Sequence, residues 1–305
     1  MADHYRCVGF PAPDALTLVQ LLRRTVTDGV RVSRSDGSVS VRHHDDRSGA
    51  RITVVLSADG VIRSAKPSFL PTVSRPVRAR VHGRHPDSAN PDAELVKITL
   101  RGAQLPWSVE FEDGAAAVAG LSFGEETDLE VVGFADRLAC YEDEGAFAAS
   151  GATLGAREML PAGVHGLGRD LGGQRLSALA SGVVMEMEEL HNGLSGASFL
   201  HLVIDTTPGP LDVVVSPQQV DGPRPRRGHL VTGSLWLVAR QVPPALLAPR
   251  HIDVPASTSV LPVRQLQRKP QPQPARSGPE LDEDQPLRPR APGRRESPRL
   301  FSRWC

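Results

Sequence analysis

NGLSGASFLHLVIDTTPGPLDVVVSP, residues 192–217, is the stretch that decides the fold of the second half of the chain. Two apolar runs flank a Thr-Thr-Pro-Gly-Pro turn, and this pattern is typical of a β-hairpin. A turn centred on Pro208 and Gly209 places Asp205 directly opposite Asp212. In this register one face of the hairpin is wholly apolar and predicts the buried side of a sheet. That face is formed by Leu200, Leu202, Ile204, Val213 and Val215.

The opposite face of the hairpin raises a question of chemistry. Like charges directly opposite each other in a sheet are unfavourable, so Asp205 and Asp212 are candidate ligands of a divalent metal. The alternative is a hairpin end with two hydrated carboxylates, which we favour, and we expect no cofactor. His201 cannot join Asp205 at one metal, because four residues of a strand span about 13 Å and metal–ligand bonds are about 2 Å.

The first part of the chain predicts a small α+β unit over residues 1–81. A helix is capped by Asp14 and ended by Gly29. Its apolar stripe consists of Leu18, Leu21, Leu22 and Val26. Asp-Gly turns at residues 36–37 and 59–60 then predict four short antiparallel strands. We expect the helix to pack on one face of this sheet.

The remainder divides into three segments. Residues 82–94 are polar and rich in Pro and Asn, and we interpret them as a loop or boundary. Residues 95–248 hold about six strand-like runs between Gly-rich loops, which favours a small β-barrel or sandwich of OB-like form. Within this part, residues 128–143 fit either a strand or a helix, and we favour the strand. The Pro- and Arg-rich tail, residues 249–305, is predicted to be disordered. The fold class is therefore α+β, mainly β.

Composition indicates a cytoplasmic protein. Acidic and basic residues are equal in number, but residues 249–305 hold 11 basic and 6 acidic side chains, a net charge of +5 that leaves −5 for the rest. The three cysteines include no Cys-x-x-Cys pair, which argues against a disulfide framework or a zinc site. No apolar run approaches the roughly 18 residues of a membrane span, and the start lacks the features of a signal peptide. We expect no membrane association.

Three further motifs point to chemistry only weakly. GLSFG, residues 120–124, matches the nucleophile elbow, but a polar loop and a strand follow it where the elbow needs a helix. HHDD, residues 43–46, suggests a metal cluster, yet neighbouring strand residues point to opposite faces. HGLGRDLGG, residues 165–173, lacks the preceding strand and following helix of a phosphate-binding loop. We interpret all three as structural.

The end of the tail is a candidate partner-binding element. Arginine next to aromatic side chains can bind phosphates and stack on bases, and such a segment can also fold onto a protein. The partner is unknown, and either nucleic acid or protein is possible. The residues concerned are Arg288, Arg290, Arg294, Arg295, Arg299, Phe301, Arg303 and Trp304.

The second half resembles a bacterial, actinobacterial-like protein family whose function is not known. The family pattern is a Gly-x-Val strand, Asn-x-x-Thr/Ser-Gly, a strand ending in Asp-Thr, a Gly turn, Asp-Val-Val and a Trp-Leu strand ending in Arg. The matching positions are Gly182, Val184, Asn192, Ser195, Gly196, Asp205, Thr206, Gly209, Asp212, Val213, Val214, Trp236, Leu237 and Arg240. Ser195 stands where Thr is usual, and Ala239 where Gly is. The resemblance implies a common architecture and no activity.

The sequence therefore favours a non-catalytic binding or interaction module. Two alternatives stay open. One is a metal-dependent hydrolase that uses Asp205 and Asp212, and the other is a structural subunit of a larger assembly.

Overall fold

The computed structural model confirms a mostly β fold with a helix and a small sheet at its N-terminus. Among the described residues, no helix combines the length and hydropathy that a membrane span requires. The structure describes residues 3–10, 15–33, 39–86, 94–112, 118, 120–161 and 178–242.

The N-terminal elements form a four-stranded antiparallel sheet in the order β1-β2-β3-β4 with a helix against it. They are a 3-10 helix (Asp3–Val8), α1 (Ala15–Asp28), β1 (Val30–Ser33), β2 (Val39–Asp45), β3 (Ala50–Ser57) and β4 (Ile62–Phe69). Leu21, Leu22 and Val26 of the α1 stripe pack on the core that contains Ile52 and Val54. Gly29 ends α1 as predicted, with its N–H bonded to the Thr25 carbonyl. The predicted cap Asp14 and the turn at 36–37 lie outside the described residues.

Within the described ranges, the larger sheet contains ten further strands. They are β5 (Val77–Pro86), β6 (Glu94–Leu100), β7 (Trp107–Phe111), β8 (Glu126–Tyr141), β9 (Met159–Pro161), β10 (Ala178–His191), β11 (Ser198–Thr206), β12 (Gly209–Val215), β13 (Val220–Asp221) and β14 (Leu230–Gln241). A short helix, α2 (Glu144–Ala149), and a 3-10 turn (Pro217–Gln219) complete the described elements. The segment 128–143 is thus mainly strand, as favoured above.

The predicted boundary at residues 82–94 is wrong. Strand β5 continues through residues 82–86, of which 83–86 pair with β6, and residues 77–81 already belong to the larger sheet. The small sheet and the larger sheet lie in one compact unit, residues 1–250. The polar character of this segment led to the wrong prediction because His82 and Arg84 of β5 are exposed. Residues 87–93 and the predicted tail lie outside the described part.

The strand pairings close two rings that share β8 and β14. The first ring runs β8-β5-β6-β7-β14, and the second runs β14-β10-β11-β12-β8. Each ring contains one parallel contact, β7 with β14 in the first and β12 with β8 in the second. Each ring is therefore a three-stranded antiparallel meander closed by the same long pair of strands.

The two rings are an internal structural repeat that holds to the level of single residues. Val81 and Val184 each precede a β-bulge in the first strand of their meander. Gly124 donates its N–H to the Val81 carbonyl at 2.7 Å, and Gly228 does so to the Val184 carbonyl at 2.8 Å. Both glycines have a left-handed backbone, with φ of 88° and 91°, directly before β8 and β14. The repeat thus matches β5, β6, β7 and β8 with β10, β11, β12 and β14, in that order.

Two hydrophobic cores result. One fills the rings with inward side chains, such as Ile98 and Val109 in the first ring and Ile204 and Val213 in the second. The apolar face predicted for the hairpin of residues 192–217 lies entirely in this core, which confirms that prediction. The other core lies between the outer face of the second ring and the N-terminal elements, and it includes Phe134, Val214 and Trp236 with Phe10 and Ile52.

The β13–β14 connection offers a test of the backbone geometry. Gly222→Ala places a Cβ 2.4 Å from the Cys140 carbonyl oxygen at φ 97°, whereas Gly228→Ala at φ 91° meets no atom within 4 Å. We expect Gly228→Ala to lower the free energy of unfolding by about 1–2 kcal/mol through the left-handed backbone alone. Gly222→Ala should cost at least about 1 kcal/mol more, because the clash adds to the strain. Urea unfolding measures both, and equal losses would contradict the close approach.

Candidate functional site

The most polar buried region of the described structure lies where the N-terminal sheet meets the ring strands. We call it the polar junction. Its four carboxylates are 3–5% exposed and come from the end of β7, from β8 and from β12. They are Glu110, Glu112, Glu130 and Asp212. Buried carboxylates are costly unless they are paired, so their partners determine what the junction can do.

Glu110 and Glu112 are held by the N-terminal sheet. The Arg51 Nη1 atom lies 2.9 Å from Glu112 Oε1, and the Ser68 hydroxyl donates to the same oxygen at 2.5 Å. The Lys66 ammonium lies 3.3 Å from Glu110 Oε1 and donates to the carbonyl of Phe111. Period-two alternation puts Arg51, Lys66 and Ser68 on one face of β3 and β4. This face of the small sheet therefore contacts β7 through charges.

Arg51 links this contact to the surface. It also binds Asp45 at 2.5 Å and 2.8 Å. Partial burial opposes the charge on the guanidinium, but hydrogen bonds and charges from Asp45 and Glu112 outweigh it and raise the pKa of Arg51. Partial burial likewise opposes ionisation of Asp45, yet the hydrogen bond and charge of Arg51 hold the pKa of that carboxyl below its usual value. Arg51 and Asp45 are thus both stabilised in their charged forms.

Glu130 anchors the segment that leads from β4 into β5. It forms an ion pair with Arg240 of β14 and accepts a hydrogen bond from the Ser74 hydroxyl. A small cavity of about 10 Å³ adjoins it, with room for about one water molecule. The cavity is lined by Ser68, Phe69, Glu112, Glu130, Val132, Val238, Ala239 and Arg240.

Asp212 is the centre of a second group of charges. His201 Nε2 lies 2.8 Å from Asp212 Oδ1, and the Arg75 guanidinium lies 3.1 Å from the same atom. Arg75 also binds Glu186 of β10 at 2.6 Å. The His201 ring packs against Phe69 of β4, with centroids 4.8 Å apart. This group joins β10, β11 and β12 to the segment after β4.

The predicted pairing of Asp205 with Asp212 is wrong by two residues. The turn consists of Thr207 and Pro208, so Asp205 pairs with Pro210, and Asp212 pairs with Val203. A shift of two residues keeps each side chain on its predicted face, which is why the buried face was correct while the pair was not.

The two aspartates consequently have different surroundings. Asp205 is 40% exposed and forms an ion pair with Arg157 at 3.0 Å, while Asp212 is buried. His201 binds Asp212, a contact that the sequence did not predict. Within the described ranges, no group of three or more His, Cys, Asp or Glu side chains is arranged to hold a metal ion.

The other candidate motifs have structural surroundings where they are described. Ser122 lies in the turn before β8, and Gly124 of the same motif closes the first ring. Asp46 accepts hydrogen bonds from the backbone N–H and the hydroxyl of Ser48. The loop 165–173 and the tail residues from Arg288 to Trp304 lie outside the described part.

Two histidine pairs were missed because their members are far apart in the sequence. His4 lies 3.0 Å from Asp136 and stacks on Trp236 with a centroid separation of 4.5 Å. Cys140 Sγ lies 3.6 Å from His229 Nδ1, an arrangement that suggests a nucleophile beside a base. Burial, however, raises the pKa of the Cys140 thiol to about 11, so the reactive thiolate is scarce near neutral pH.

Residues of the family-like pattern hold the N-terminus on the second ring. The Asn192 amide donates to the Val8 carbonyl at 2.9 Å and its carbonyl accepts from the Leu194 N–H. The Ser195 hydroxyl donates to the Gly9 carbonyl. Asp212, Trp236 and Arg240 belong to the contacts described above. The pattern therefore marks the contact between the N-terminal elements and the rings.

Comparison with known proteins gives no assignment. No protein-family model matches the chain, and no curated protein matches it. The resemblance to an actinobacterial-like family stays a prediction.

Removal of Arg51 tests the polar junction. Arg51→Met leaves Glu112 buried without its cation, and we expect the free energy of unfolding to fall by about 3 kcal/mol. Arg224→Met removes an exposed ion pair with Glu189 and should cost less than about 1 kcal/mol. Adding Glu112→Gln to Arg51→Met should restore part of the loss, since the uncompensated charge is then gone. Denaturant unfolding of the wild type and the three variants measures these free energies. Equal losses of stability in Arg51→Met and Arg224→Met would contradict the role of Arg51 in compensating the buried Glu112.

The buried thiols allow a simple chemical test. In a Cys305→Ser variant the remaining cysteines, Cys7 and Cys140, are both buried. We expect neither to react with a thiol reagent at pH 7.5 in the native state, and both to react in denaturant. Rapid reaction of one native thiol, lost in Cys140→Ser, would show an accessible thiolate and would contradict the pKa near 11.

Proposed function

We propose that the chain is a non-catalytic interaction module that binds a protein partner through the outer surface of its first ring. We call this surface the open face. It spans β5, β6 and the start of β8. It is formed by Arg78, Arg80, His82, Lys97, Thr99, Glu126 and Asp128.

The observation that carries the proposal is a contrast between equivalent positions of the repeat. In the superposed register Lys97 corresponds to Val203, and Arg80 corresponds to Val183. Val203 is buried, at 1% exposure, whereas Lys97 is exposed. The outer surface of the second ring carries apolar side chains where it meets the N-terminal elements, and these elements cover part of that surface. In the first ring the corresponding surface is charged and exposed.

The composition of the open face supports a partner-binding role. Arginine is enriched at protein interfaces relative to the rest of the surface, and Arg78 and Arg80 have side chains 43% and 57% exposed. Arg78 is oriented by Asp128 at 2.9 Å and by Glu126 at 3.4 Å. A side chain held in this way loses less conformational entropy when a partner binds.

The OB-like character expected from the sequence supports the choice of this surface by analogy. OB folds are five-stranded and bind ligands on the face of their second and third strands. The first ring has five strands, and its second strand, β6, contributes Lys97 and Thr99 to the open face. This likeness is an analogy of architecture, and the charged surface supports the proposal independently.

Site-specific photo-cross-linking in the host cell tests this proposal. A photoreactive amino acid replaces Lys97 on the open face or, as a matched control, Arg226 in the exposed loop before β14. We expect a discrete cross-linked protein from position 97 that is absent from position 226. The same product should disappear when Arg80→Glu is added. A product that persists with Arg80→Glu, or no product from position 97, would overturn the proposal.

A further inference from the structure

We infer that the partner of the open face is an acidic, extended polypeptide segment. This inference rests on the proposed function and specifies its ligand. The open face and the adjoining Arg101 hold four cations, Arg78, Arg80, Lys97 and Arg101, against the carboxylates of Glu126 and Asp128. The carboxylates are engaged chiefly by Arg78, so the excess positive charge lies at the other three positions.

Arg80 and Lys97 are the least compensated of these cations. The Arg80 guanidinium is 3.9 Å from Glu126, the longest ion pair found on this face. For Lys97 the described residues provide no ion pair. The backbone register places Arg80 opposite Thr99 and Lys97 opposite Gly83, so both side chains project from neighbouring strands of the same face. A ligand carboxylate would therefore form its most favourable ion pairs with Arg80 and Lys97.

The spacing of the arginines matches an extended peptide. Arg78 and Arg80 are two residues apart on β5, which separates their Cα atoms by about 7 Å. Alternate side chains of an extended segment on one side have the same period. A segment with a carboxylate at every second residue therefore presents one charge to each arginine, and guanidinium groups can bind carboxylates through two hydrogen bonds.

The open face fits an acidic peptide better than a nucleic acid. Single strands are bound by grooves that combine cations with aromatic platforms on which bases stack. The open-face residues named above include no aromatic side chain other than the imidazole of His82, which lies 2.7 Å from the Thr99 hydroxyl. Glu126 and Asp128 would also repel phosphates that follow β8. Side chains of a protein ligand can donate to these carboxylates, and phosphates cannot.

Fluorescence anisotropy with the full-length chain tests the inference. The probes are a labelled peptide of about twelve residues with alternating Glu and Thr, the same peptide with Gln in place of Glu, and a single-stranded DNA of about 20 nucleotides. The proteins are the wild type, Arg80→Glu/Lys97→Glu, and Arg226→Glu/Arg227→Glu. The last variant is matched in charge change and lies in the loop before β14. The basic residues between 288 and 305 are present in all three.

The inference predicts binding of the Glu peptide that weakens with salt. Affinity should fall at least about 10-fold in Arg80→Glu/Lys97→Glu and remain within about 2-fold in Arg226→Glu/Arg227→Glu, with a corresponding loss for the Gln peptide. Circular dichroism and thermal unfolding establish that both variants are folded. Equal weakening in the two variants, no binding of the Glu peptide, or tighter face-dependent binding of DNA would each overturn it.

The cross-linking and anisotropy experiments test separate claims. A cross-link at position 97 together with no peptide binding removes the acidic ligand and leaves the interaction module. Loss of the cross-link removes the module itself, whatever the peptide does.

Discussion

The antiparallel pair of β8 and β14 is the constraint on which the rest of the structure depends. Residues 129–141 pair with residues 230–241 along almost the whole length of both strands. The other edge of each strand pairs with both meanders at different points along its length, β14 with β10 and β7, and β8 with β5 and β12. Neither ring can close without this pair, so the two rings must form together. A register slip here would disrupt the core of both.

Packing inside the shared pair leaves little freedom. A Cβ on Gly133 would lie 2.9 Å from the Leu235 side chain, so Leu235 packs over the backbone of β8 in the space that glycine leaves open. Asp136 is the extra residue of a β-bulge in β8, which changes the register between Ser234 and Leu235. Bulges strengthen the local twist of a strand. The bulge thus bends β8 where its end turns to meet β13 and the N-terminal His4.

The polar junction fixes how the N-terminal elements sit on this framework. Two apolar surfaces can slide over each other at small cost, whereas a buried carboxylate is stabilised only at the position of its partner. Three pairs place such constraints along the contact: Glu112 with Arg51, Glu110 with Lys66 and Asp212 with Arg75. Their net contribution to stability is small once desolvation is included. Their effect is on orientation, and the adjoining apolar core supplies the binding energy.

The sequence predicted those features of the fold that depend on a local pattern of residues. Alternation of apolar residues identified the buried face of the β11–β12 hairpin, and Gly29 identified the end of α1, because both signals lie within a few residues. The same alternation cannot distinguish registers that differ by two, so Asp205 was paired wrongly. Ring closure, the repeat, and the contacts of Glu110, Glu112 and Glu130 depend on partners at least 44 residues away. A single sequence contains no local signal for them.

The repeat explains why sequence similarity between the halves is so faint. Inward positions are restricted to residues that fill a ring, and several equivalent ones are identical, among them Val81 and Val184, Ile98 and Ile204. Outward positions have no such restriction and follow whatever each ring contacts. In the second ring they are apolar or belong to the polar junction under the N-terminal elements. In the first ring Arg78, Arg80 and Lys97 are charged and exposed, and they lie on the surface that we propose as the partner-binding face.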